Sequence, residues 1–140
     1  MKVFLDTNVL VSATATRGLC ADVFREVLTS HQLVISALLL TELERVLREK
    51  FGVPDDLITE FIKVLQQDAH VSTPINLPDI KILDKNDVLI LSSAVNGKAD
   101  LFVTGDKELL ELGTVENLEI VSPRMFWERV KAQYSRTPVN

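Results

Sequence analysis

Four carboxylates set the chemical question in this chain: Asp6, Glu42, Asp87 and Asp106. In "VFLDTNVLVSA" (3–13), Asp6 interrupts a run of apolar and β-branched residues. An ionised carboxylate in an apolar setting is costly unless it is paired, hydrogen-bonded or bound to metal. Glu42 lies at the edge of an apolar stripe, Asp87 opens the apolar run "DVLILSSAV", and Asp106 follows "LFVTG". Brought together, such groups repel, by roughly 4 kcal/mol for two unit charges about 4 Å apart at an effective dielectric near 20. Either some are protonated or a cation balances them. With oxygen ligands and no His or Cys cluster, the hard divalent ions Mg²⁺ or Mn²⁺ are the expected cation. Such an ion lowers the pKa of bound water and holds a phosphate oxygen, which is the chemistry of phosphodiester hydrolysis.

The elements that must position these acids follow from the hydrophobic pattern. "KVFL", "QLVIS", "HVST", "DLFVT" and "LEIVS" read as strands. They alternate with helices over "LCADVFREVLTS", "ALLLTELERVLREKF", "DDLITEFIKVLQQ", "DVLILSSAVNG", "KELLEL" and "PRMFWERVKAQ". Short apolar strands alternating with helices predict a three-layer α/β/α domain around a parallel sheet of four to five strands. Ser36, Ser122 and Asp84 stand where helix caps are expected. "FGVPDD" (51–56) and "TPINLPDIK" (73–81) read as loops. In open parallel sheets the ligand site lies beyond the carboxyl ends of the strands, where strand order reverses. Asp6 and Asp106 each end a strand and are expected to face that crevice, with Glu42 and the first turn of the Asp87 helix above it.

Each acid also has a plainer explanation. Asp106 is a favoured N-cap for "KELLEL". Asp87 stands three residues after Asp84, a variation on the capping box. Glu42 has Arg45 nearby as a partner. Asp6 resists such a reading, because a cap does not require a carboxylate to be buried beside Phe4 and Leu5. Function is favoured by the arrival of all four at one end of one sheet.

Composition narrows the alternatives. A chain of 140 residues, 46% hydrophobic, suits a single domain spanning 1–140, with residues 134–140 expected to fray. The net charge of −5 gives no general attraction to polyanions, so nucleic-acid binding requires a local patch. One cysteine excludes an internal disulfide framework and fits a reducing cytoplasm. Lys2 and "SATA" have the look of a secretion signal, but Asp6 and Asn8 interrupt the apolar region it needs. "LVISALLLT" (33–41) falls well short of the roughly 20 residues of a membrane span, so no membrane association is expected.

These motifs together resemble the PIN-domain ribonucleases, of the VapC-like kind found as the toxin of prokaryotic toxin–antitoxin pairs. "VFLDTNVLVSA" resembles the family's opening motif, and "SALLLTELERVL" supplies the second acid. "DKNDVLILSSAVNGKADLFVTGDKELL" supplies the third and fourth, with Thr104 in the Thr/Ser-Gly-Asp position. The resemblance covers residues 1–122. It implies metal-dependent endonuclease cleavage of RNA, a cytoplasmic homodimer and, for a toxin, a small antitoxin partner. It further implies Asp6 and Asp87 as direct Mg²⁺ (or Mn²⁺) ligands and Asp106 as a direct or water-mediated one. Glu42 would orient water or metal, and Asn8 and Thr104 would hydrogen-bond the carboxylates or bound waters. Many relatives carry Asp-Pro-Asp-Asp before the third motif, where this chain has Asp84-Lys85-Asn86-Asp87, and the number of metal ions stays open.

Arg17, Lys85 and Lys107 are the candidate phosphate contacts. Residues 123–140 hold four basic residues against one acid. Phe126 and Trp127 are expected in core or dimer contacts rather than in base stacking. A haloacid-dehalogenase-type phosphatase would require Asp-x-Asp at the first site, where the second position is Asn8. A phosphoacceptor receiver domain would require an adjacent acidic pair after the first strand, which is not visible. The non-enzymatic alternative is a PIN-like module that binds RNA or protein without cutting.

Overall fold

The computed structural model describes residues 1–75 and 84–136. Among them a six-stranded sheet runs in the order β3-β2-β1-β4-β6-β5. The first strand, β1 (Lys2–Leu5), pairs in parallel with β2 (Gln32–Ser36) on one side and β4 (Leu101–Val103) on the other. Outward from these, β3 (Ala69–Ser72) lies beside β2 and β6 (Leu118–Val121) beside β4, both parallel. These five strands form the expected parallel sheet. A sixth strand, β5 (Thr114–Val115), pairs antiparallel with β6 through a two-residue turn in which Glu116 takes φ 54°. No Asn-Gly or Gly-Gly signal marks that turn, and the strand is too short to carry a period.

The chain moves from β1 outward to β2 through α1 (Thr7–Ala15) and α2 (Leu19–Ser30), then to β3 through α3 (Ala37–Glu49) and α4 (Asp55–Asp68). It then crosses back to β4 through α5 (Lys85–Asn96) and continues outward through α6 (Lys107–Leu112) to β6. Right-handed crossovers therefore put α1–α4 on one face and α5 and α6 on the other. The last helix, α7 (Pro123–Arg136), packs on α2 and β6. The centre of the sheet is buried, β1, β2 and β4 being covered apart from Lys2 and Gln32, and Phe4 and Phe102, partners across β1 and β4, stack with ring centroids 5.1 Å apart.

Helix α1 departs from the sequence reading, which carries no element between "KVFL" and "LCADVFREVLTS". Its sequence, TNVLVSATA, mixes β-branched residues with small ones and reads as a continued strand, yet Asp6 caps a nine-residue helix there. Ser36, Asp84 and Ser122 cap as expected, accepting from the amides of Leu39, Asp87 and Met125. Helix α7 runs through Tyr134, whose hydroxyl donates to the Glu26 carboxylate at 3.1 Å, so the expected fraying does not begin at that residue. Residues 137–140, and 76–81 of the expected "TPINLPDIK" loop, lie outside the described residues. Among the described residues no helix is long and apolar enough to cross a membrane.

Candidate active site

Strand order reverses at β1, since β2 and β3 follow it to one side and β4 and β6 lie on the other. The crevice at the carboxyl ends of β1 and β4 is therefore the topological switch point of this sheet. Two residues are fixed there by the ladder continuing past the strand ends. The Asp6 amide donates to the Val103 carbonyl and the Thr104 amide to the Val121 carbonyl, each at 3.0 Å.

From this start the side chains form a short relay. Asp6 Oδ1 accepts the Thr7 amide at 2.8 Å, as the N-cap of α1, and Asp6 Oδ2 accepts the Thr104 hydroxyl at 2.7 Å. The same Thr104 Oγ1 accepts the Asp106 amide at 3.0 Å, which uses the hydroxyl as donor and acceptor at once. Asp106 in turn caps α6, its Oδ1 accepting the Glu108 amide at 2.9 Å. Thr104 is wholly buried and Asp6 is 9% exposed. Burial pushes the Asp6 pKa above the ordinary aspartate range despite the hydrogen bonds from Thr104 and Thr7, and the charges of Glu42 and Asp106 push it the same way.

Glu42 and Asp87 complete the acidic group from opposite faces of the sheet. Both are half-buried, and neither carboxylate accepts a hydrogen bond among the described residues. The Asp87 pKa is pushed up to about 6, first by burial and then by the charges of Asp84, Asp106, Asp6 and Glu42. Only half of the capping box forms. Asp84 accepts the Asp87 amide, but the Asp87 carboxylate makes no return bond to the Asp84 amide. Its oxygens stay available. The N-termini of α1, α5 and α6 all start beside these acids, and their partial positive charge offsets part of the mutual repulsion.

The all-oxygen donor set, strained by its own like charges, fits a hard divalent cation. Among the described residues no three Asp, Glu, His or Cys groups stand close enough in this conformation to grip one ion. The Glu42 and Asp87 carboxylates are not tied by hydrogen bonds among the described residues. Lys85 and Lys107 occupy the first positions of α5 and α6, exposed, next to the acids and outside any ion pair among the described residues.

Two expected contributors are placed differently. Asn8 is exposed on α1 and makes no hydrogen bond to Asp6, whose oxygens are met by Thr104 and the Thr7 amide. Arg17 lies in the loop beyond the far end of α1, and nine helical residues put it about 13 Å or more from Asp6. In the C-terminal basic stretch, Arg124 and Lys131 pair with Glu128, and Arg129 with Glu119. Phe126 is core and Trp127 is partly buried against it.

Sequence reasoning passed over Thr7, whose buried Oγ1 has no partner among the described residues. Nothing in the sequence singles it out beyond its place next to Asp6.

Residues 2–108 match the PIN-domain family. Solved structures that share the fold include the two that follow. The structure of VapBC2 from Rickettsia felis, bound to a DNA fragment from its promoter, aligns with a TM-score of 0.61 at 17% identity, covering 87% of this chain and 98% of that one. The structure of VapBC-1 from nontypeable Haemophilus influenzae aligns with a TM-score of 0.58 at 20% identity, covering 89% and 99%. No curated protein matches the chain by sequence.

Proposed function

We propose that this chain, which belongs to the PIN-domain family, is a divalent-metal-dependent endoribonuclease and the toxin of a toxin–antitoxin pair. The reading rests on one observation: Thr104 joins Asp6 and Asp106 at the switch point of the sheet, with Glu42 and Asp87 near enough for the like charges to raise the Asp6 and Asp87 pKa. Asp6, Asp87 and Asp106 would hold Mg²⁺ or Mn²⁺, with Glu42 orienting water or metal at its edge. A bound ion of this kind lowers the pKa of a water and polarises a phosphate oxygen. The protein's part is to hold the oxygens in place. Thr104 fixes the Asp6 carboxylate and ties it to the Asp106 backbone. Lys85 and Lys107 are the cations placed to meet the backbone of a bound strand.

The partner half of the proposal draws on the VapBC structures that share the fold. A small antitoxin is the expected protein partner, and a homodimer the expected assembly. The unpaired Cys20 suits a reducing cytoplasm.

Incubation of the purified protein with RNA, single-stranded DNA and a small phosphomonoester, with Mg²⁺ or Mn²⁺ and then with EDTA, tests the substrate class. Metal-dependent cuts in RNA are expected. Hydrolysis of the phosphomonoester alone, or RNA binding without cleavage, would replace this reading with a phosphatase or a non-catalytic module.

A further inference from the structure

Three aspartates reach the acidic group from the starts of three helices, but they are held in different ways. Asp6 and Asp106 are themselves the N-caps of α1 and α6, so each places its own carboxylate through a bond to its helix. Asp87 is the third residue of α5 and has no such tether on its side chain. Its backbone is held instead by Asp84, whose Oδ1 accepts the Asp87 amide at 2.9 Å while the Asp84 carbonyl accepts the Val88 amide at 3.2 Å. The half-formed capping box leaves the Asp87 oxygens unspent. The far end of α5 is clamped: a Cβ on Gly97 would lie 2.7 Å from Val34 Cγ1, and Ser72 Oγ donates to the Ser93 carbonyl at 2.7 Å. The helix is therefore pinned against β2 and β3 at its end and steered by Asp84 at its start.

We propose that Asp84 is a positioning residue, which by capping α5 through the Asp87 amide sets where the Asp87 carboxylate meets Asp6, Glu42 and Asp106. This rests on the metal-dependent reading of the site. The role belongs to the hydrogen bond and not to the charge, so a neutral side chain that can accept the same bond performs it. Loss of a partner that orients a metal-binding residue typically costs about 10- to 100-fold in metal affinity or activity, and Asp84, which holds the Asp87 backbone and not its carboxylate, belongs at the lower end of that range.

The full-length protein separates the possibilities. Mn²⁺ affinity by titration calorimetry, RNA cleavage and the hydrogen-exchange rate of the Asp87 amide are measured in wild type, Asp84→Ala, Asp84→Asn and Asp84→Ser. In Asp84→Ala the Asp87 amide is expected to lose protection, and Mn²⁺ affinity and cleavage to fall by about tenfold or more. Asp84→Asn and Asp84→Ser keep all three within about threefold of wild type, because both side chains are good caps. In an Asp87→Asn background, adding Asp84→Ala brings no further loss of Mn²⁺ affinity, which a general loosening of the fold would still produce. The proposal is overturned if Asp84→Ala behaves as wild type, or if Asp84→Asn fails as badly as Asp84→Ala, which would make Asp84 a charge or a ligand. A wild type that neither binds Mn²⁺ nor cuts RNA removes the underlying reading as well, a result distinct from either.

Discussion

Thr104 and Asp6, 98 positions apart in the chain, are joined by a buried 2.7 Å hydrogen bond that fastens the end of β4 to the end of β1. The bond supplies Asp6 Oδ2 with a donor that solvent cannot replace. Thr104→Val should therefore destabilise the protein by about 1.5–3 kcal/mol, the range for a hydrogen bond to a charged group, whereas Thr104→Ser should cost much less. Denaturant unfolding at neutral pH measures the difference, and equal losses in both variants would assign the effect to packing.

Asp87 makes stability depend on pH. Its folded pKa of about 6 lies above the ordinary 3.8, so the fold disfavours the charged form. Below pH 3.8 the group is protonated in folded and unfolded chains alike and costs nothing. Between 3.8 and 6 stability declines as pH rises, and above 6 the penalty is complete. Asp87→Asn is expected to stabilise the metal-free protein at pH 7 by about 1 kcal/mol, after allowance for screening at a half-exposed group. The gain should disappear near pH 4, as thermal melts across this range would show.

The buried, unpartnered hydroxyl of Thr7 predicts a gain from its removal. Thr7→Val keeps the branched shape and ends the desolvation of the Oγ1 atom, so it should raise stability by about 1 kcal/mol with an unchanged denaturant m-value. A loss would mean that the hydroxyl has work to do in the site.

The fold was legible because five strands and their helices carry clean periods, and the meeting of the four acids because a parallel sheet brings the carboxyl ends of its strands and the early turns of the following helices to one side. Asp106 shows why neither reading of an acid excludes the other: it caps α6 and also lies in the acidic group. Helix α1 was hidden because Val9, Val11 and Thr14 suit a strand as well as a helix, and tertiary packing under α2 and α3 decides for helix. The capping role of Asp84 was visible in its spacing to Asp87, but not the missing return bond that leaves the Asp87 oxygens exposed to a ligand.

The cations are expected to divide accordingly. Lys85→Ala and Lys107→Ala should each weaken RNA binding and reduce the slope of log affinity against log salt by about 1, as removal of one phosphate contact does. Arg17→Ala should leave the slope unchanged. Binding isotherms for a catalytically silent protein at several salt concentrations provide the comparison.

The central claim is that these four carboxylates serve a divalent ion in cutting RNA, and the Asp6→Asn variant tests it most directly. Its RNA cleavage is measured beside that of wild type with Mg²⁺ or Mn²⁺, after circular dichroism has shown both to be folded. The account predicts a loss of about 100-fold or more in a folded variant, and no cleavage by either protein in EDTA. Cleavage by Asp6→Asn at the wild-type rate, or cleavage by wild type that persists in EDTA, would contradict it.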